Sequence, residues 1–172
     1  MTEGSKGMPD EVGAENEDQA DPPAALAETA SAVQAHGGSH EGSQGGYVLD
    51  ASALMCLVNG EPGAERVAAV LPRAVISAVN LAEVGTKLNE LGADAQTARA
   101  LLAPLHLTVV SLDEAAAFAA GALRTATRSH GLSLGDRTCL ALAAQRGATA
   151  LTGDRAWMQV SEVVGVSIEL VR

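Results

Sequence analysis

The stretch "LSLGDRTCLALAAQRGATALTGD" (132–154) holds a helix and a buried strand back to back. Ser133 is a helix N-cap residue, Ala and Leu fill the next three turns, and Gly147 stops them. "ATALT" (148–152) is then a short apolar run of the kind that forms a strand covered on both faces. Such bland material carries Asp136 near its start and Asp154 at its end. A carboxylate beside a buried element costs free energy unless something compensates its charge. The helix runs down and its strand climbs back, so both acids return to one edge of a sheet.

The same alternation continues outward. "YVLD" (47–50) reads as a strand and "ASALMCLVNG" (51–60) as a helix stopped by Asn59-Gly60. "PGAERVAAVL" (62–71) is helical and "AVISA" (74–78) a second strand. "NLAEVGTKLNELG" (80–92) is an amphipathic helix with Leu81, Val84, Leu88 and Leu91 as its apolar stripe, opened by Asn80 and ended by Gly92. "DAQTARALLAPL" (94–105) is another helix, and "LTVVSL" (107–112) a third strand. Asp113 caps a long Ala-rich helix that runs to about Ser129. After "ATALT" come a helical turn at "DRAWMQV" (154–160) and a fifth strand, "VSIELV" (166–171). The pattern predicts an α/β three-layer sandwich on a parallel sheet with right-handed crossovers.

The chain has 172 residues and two compositions. Residues 1–46 hold nine acids against one Lys, and their low hydrophobicity predicts a disordered acidic tail. From 47 to 172 the balance is only −2, so the formal charge of −10 belongs mostly to the tail. The tail lacks the basic start and apolar run of a secretory signal. No stretch approaches the about 18 apolar residues of a membrane span. Cys56 and Cys139 are far apart and read as reduced packing thiols. The expected compartment is therefore the cytoplasm. His106 and His130 stand alone, without a metal-binding spacing.

In a parallel α/β unit, strand C-termini and the following helix N-termini share an edge, the one where such folds bind ligands. Asp50, Glu83, Asp136 and Asp154 all fall there. Each has a plainer use. Asp50 and Asp154 can cap the elements after them. Asn80-x-x-Glu83 and Ser133-x-x-Asp136 fit capping boxes. Together, however, four carboxylates on one edge repel one another and raise each other's pKa unless cations sit between them. Hard oxygen donors select Mg²⁺ or Mn²⁺, which activate water for phosphodiester hydrolysis.

"YVLDASALMCLVNGEPGAERV" (47–67), "SAVNLAEV" (77–84), "LSLGDRTCLALA" (132–143) and "ATALTGDRAW" (148–157) resemble, in order, the motifs of PIN-domain ribonucleases, and most of all the VapC toxins of type II (VapBC) toxin–antitoxin pairs. The resemblance covers nearly all of 47–172 and none of the tail. It implies a five-stranded sheet of order 3-2-1-4-5. It also implies Mg²⁺- or Mn²⁺-dependent endonucleolytic cleavage of RNA, leaving a 5′-phosphate and a 3′-hydroxyl. Asp50, Glu83, Asp136 and Asp154 match the family's four acids, and Ser52 and Thr152 match hydroxyl positions beside them. A small VapB-like antitoxin and a homodimer follow from the same resemblance. Arg137 and Arg155 each follow an acid and are candidate RNA phosphate contacts. With Tyr47, Phe118 and Trp157 as the sole aromatics, a base-stacking platform is not expected, and Trp157 reads as a core anchor.

Other readings stay open at this point. A catalytically silent PIN-like module that binds RNA or a partner has the same fold. A receiver domain needs an acidic pair at strand 1 and a Lys ending strand 5, and a haloacid dehalogenase-type phosphatase needs D-x-D where this chain has Asp50-Ala-Ser. No GxxxxGK[ST] phosphate loop is present.

Overall fold

The computed structural model describes residues 46–172; the acidic tail expected over 1–46 lies, but for Gly46, outside the described residues. Five strands form one parallel sheet of order β3-β2-β1-β4-β5, the order the resemblance implied. They are β1 (Tyr47–Leu49), β2 (Ala74–Ser77), β3 (Thr108–Val110), β4 (Thr149–Thr152) and β5 (Ile168–Leu170). The helices are α1 (Ala51–Val58), α2 (Ala64–Val70), α3 (Ala78–Glu90), α4 (Ala95–Leu102), α5 (Glu114–Thr127), α6 (Leu134–Arg146) and the single turn α7 (Ser161–Val164).

Strand alternation divides the core in two. Tyr47, Leu49, Ile76 and Leu151 point to one face, where they pack with α1, α2 and α3. Val48, Ala150 and Ile168 point to the other, against α6 and Trp157. Residues two apart on a strand share a face, so a buried strand serves both layers and must be apolar throughout. That is why "YVL" and the middle of "TALT" lack polar alternation. Trp157 is fully buried, as expected of a core anchor, and both cysteines are buried and unpaired.

One sequence expectation needs correction. The helix placed at 80–92 starts at Ala78, because Ser77 rather than Asn80 is its N-cap and accepts from the Asn80 amide at 3.0 Å. Strand pairing releases the chain at Ser77, and the first free side chain able to cap takes the position. In the helix begun there, Asn80 joins Val84 and Leu88 on the buried face. Leu91, read as part of the stripe, lies past the last turn and is 74% exposed. The strands β3 and β5 are also shorter than the apolar runs that contain them, since each is an edge strand with pairing on one side only.

Candidate functional site

The sheet register builds the base of the site. Leu49 pairs with Ile76 on one side and Leu151 on the other. The next residue on each strand, Asp50, Ser77 and Thr152, therefore forms one row at the C-terminal edge. Asp50 is only 4% exposed. Its Oδ2 accepts from the Ser52 amide at 3.1 Å, Ser52 Oγ at 2.5 Å and Thr152 Oγ1 at 3.0 Å. Its Oδ1 accepts from Asn80 Nδ2 at 3.2 Å. Among the described residues, this buried carboxylate is thus held by neutral donors. Ser52 Oγ also accepts from the Gly153 amide at 2.8 Å, which ties the start of α1 to the end of β4.

Asn80 is the residue that sequence reasoning missed as a site component. It is fully buried. Its carboxamide nitrogen reaches Asp50, Glu83 Oε2 at 3.3 Å and the Gly135 carbonyl at 3.3 Å, while its oxygen accepts from Ser77 Oγ at 2.5 Å. One amide therefore joins the acids of β1 and α3 to the first turn of α6. The signal lay in "SAVNLAEV", where a helix begun at Ser77 puts Asn80 and Glu83 three apart on neighbouring positions of one face.

Asp136 completes a capping box: the Ser133 amide donates to its Oδ2 at 2.7 Å, and the Asp136 amide donates to Ser133 Oγ at 3.1 Å. Glu83 lies against the same turn, so that a Cβ added at Gly135 would fall within its carboxylate group. Burial pushes the Glu83 carboxyl above its ordinary pKa, and the charges of Asp50 and Asp136 push it further. Burial does the same to Asp136, opposed by the Ser133 hydrogen bonds and reinforced by Asp50 and Asp154. The three acids Asp50, Glu83 and Asp136 are brought together. Asp154 stands at the border, exposed, its Oδ1 capping the Ala156 amide at 2.9 Å.

The two arginines behave differently from one another. Arg137 donates from Nε to the Ser133 carbonyl at 3.1 Å and from Nη1 to the Ala120 carbonyl at 3.0 Å, so it braces α6 against α5. Arg155 is exposed beside Asp154. Neither pairs with the acids: among the described residues the ion pairs are Arg66–Glu169 and Arg172–Glu61. Also among the described residues, no three Asp, Glu, His or Cys side chains close by themselves into a metal cage. The acids are neighbours in an all-oxygen, partly water-facing group with uncompensated charge. That donor set fits a hard cation that keeps part of its water shell.

Gly135→Ala tests the packing directly. Ala in a helix gains about 0.5–1 kcal/mol over Gly. Here the added methyl must displace the Glu83 carboxylate, so stability should not rise and Glu83 should leave its place. Denaturant titration reads the first effect, and a fall in any activity of the site reads the second.

The PIN domain family model matches residues 47–163. A comparison with curated protein sequences finds no match. Among solved structures, FitAB bound to an IR36 DNA fragment superposes with a TM-score of 0.55 at 20% identity, over 73% of this chain and 94% of that one. DNA-bound VapBC from Salmonella typhimurium gives 0.55 at 21%, over 75% and 100%. VapBC2 from Rickettsia felis, bound to a promoter DNA fragment, gives 0.54 at 17%, over 72% and 97%. With the match covering four of the five strands and all four acids expected at the C-terminal edge, this chain belongs to the PIN domain family.

Proposed function

We propose that the protein is a Mg²⁺- or Mn²⁺-dependent endoribonuclease and the toxin of a type II toxin–antitoxin pair. The observation that carries the reading is that one buried amide, Asn80, joins Asp50 and Glu83 to the turn that carries Asp136, with no cationic side chain among the described residues paired to any of the three acids. Asp50 and Asp136 would hold the ion, with Glu83 and Asp154 completing its surroundings directly or through water. Bound there, the ion would supply a water of lowered pKa and neutralise charge on the phosphate. Ser52, Thr152 and Asn80 keep Asp50 aimed by donating to it. Asp136 is fixed by its capping box, which leaves it little freedom to turn away. Arg155, exposed beside Asp154, would meet a flanking phosphate. Arg137, with two donors already on carbonyls, has part of its guanidinium left for the same role.

The nuclease unit spans 47–172, with the acidic segment 1–46 outside it. Solved structures that share the fold include FitAB and VapBC complexes, which supports a VapB-like antitoxin as partner. A homodimer rests on the family resemblance. Among the described residues no helix is long and apolar enough to cross a membrane, and a cytoplasmic location accords with the two reduced thiols. End-labelled single-stranded RNA incubated with the full chain should be cut internally with Mg²⁺ or Mn²⁺ and left whole with a chelator. A binding shift without cleavage under both conditions would instead establish the silent module.

A further inference from the structure

A cleft of about 290 Å³ opens beside the acids. It shares Ser52 and Asp154 with them, and Ser52 Oγ lies 2.5 Å from Asp50 Oδ2. Whatever enters it is next to the proposed reacting centre. Its inner wall is Met55, Cys56 and Val171, all buried. Its mouth carries two cations, Lys87 and Arg172, and two anions, Glu61 and Asp154.

The charge balance selects the occupant. A phosphate would meet two carboxylates along with the two cations, so the cleft offers it little net attraction. A purely apolar group would desolvate the charged side chains of the mouth and offer none of them a hydrogen bond. A neutral flat group with apolar faces and a polar edge satisfies both parts. Arg172 Nη1 pairs with Glu61 Oε2, and Asn59 Nδ2 donates to Glu61 Oε1 at 3.0 Å. Glu61 is thereby oriented from two sides. Its carboxyl is held below the ordinary range, by the Asn59 bond first and the Arg172 bond next, so at neutral pH it is an acceptor only. Arg172 has five N–H donors and this pair uses one. The mouth therefore shows donors and acceptors side by side, the code that reads a base edge.

We propose that this cleft receives a nucleobase of single-stranded RNA adjoining the cleaved phosphate, with Arg172 and Glu61 reading its edge and Met55 and Val171 packing on its face. The proposal rests on the ribonuclease reading. It requires an unpaired base, because the edge of a paired one is occupied and the deep groove of an RNA helix excludes side chains.

The test uses a pool of single-stranded RNA oligonucleotides randomised around a central labelled site, digested with Mn²⁺ by the full chain and by Glu61→Gln and Arg172→Gln. Cut ends are sequenced at equal extents of cleavage, so the preference is read as a ratio independent of rate. The wild type should favour one base at one position flanking the cut. Each variant should lower that preference fivefold or more while leaving preferences elsewhere unchanged. Both side chains are partly exposed, and an exposed ion pair adds little stability, so melting curves should show both variants folded. An unchanged preference in both variants overturns the base site and leaves the ribonuclease reading standing. A uniform fall over all sequences with the preference intact assigns Arg172 to a phosphate and equally overturns it. No cleavage by the wild type removes the ribonuclease reading, and the base site with it.

Discussion

Asp50→Asn should lower metal-dependent RNA cleavage by ~10³-fold or more, which is about 4 kcal/mol of transition-state stabilisation. The fold should survive. Asp50 is the most buried acid of the group and accepts hydrogen bonds on both oxygens. Asn keeps the shape and one acceptor but brings two N–H donors. If its oxygen serves Ser52 and Thr152, its nitrogen faces the Asn80 nitrogen, donor against donor. Leaving such a buried donor unpaired costs about 1–3 kcal/mol. Losing a buried negative charge close to two other carboxylates offsets part of that. A modest change in melting temperature with a retained circular dichroism spectrum is therefore expected beside a near-complete loss of cleavage. Cleavage of labelled RNA at the wild-type rate by this variant would show that the acid row is a structural brace and not a catalytic centre.

The fold was open to sequence reading because its signals are local. Short apolar runs between capped helices require a parallel sheet, and Ser133, Asp113 and Asp50 each cap as their sequence context predicts. The strand order rested on family resemblance, since periodicity carries no neighbour information. What the sequence could not settle was a choice between two equally good caps. Ser77 and Asn80 both suit an N-cap, and the pairing of β2 with β3, a long-range event, decides for Ser77. That three-residue displacement moves Asn80 from a surface cap to the centre of the site. The acids show the complementary limit. Their convergence follows from strand direction, whereas the orientation of each carboxylate depends on competing local donors. Asp154 is drawn to the Ala156 amide, and Arg137 to two carbonyls, by contacts that no spacing rule reveals.

Asp136→Asn should weaken the dependence of the protein's stability on pH and remove most of its response to divalent metal. The Asp136 and Glu83 carboxyls are raised above their ordinary pKa by burial and by neighbouring acids. Below the unfolded-state pKa both states hold the proton and there is no penalty. As pH rises, the unfolded chain releases its proton first, so these groups make folding progressively less favourable until pH passes the folded-state pKa. Above that, the ion-free protein carries the full penalty. Asn cannot ionise, yet its side-chain oxygen can still accept from the Ser133 amide, so the capping box survives. In chelator at neutral pH the variant should melt a few degrees above the wild type, and the difference should shrink towards pH 4. Mn²⁺ reverses the order. At about a hundred times its Kd, a ligand specific to the folded state adds ~2.7 kcal/mol, which for a domain of this size raises the melting temperature by several degrees. The wild type should show that rise at neutral pH and lose it in acid as Glu83 and Asp136 take up protons; the variant should show little of it at any pH. An equal Mn²⁺ response in both proteins would mean that the cation binds elsewhere. A variant that melts lower in chelator would mean that Asp136 serves the fold through its cap alone, and the repulsion inferred among these acids would have no energetic consequence.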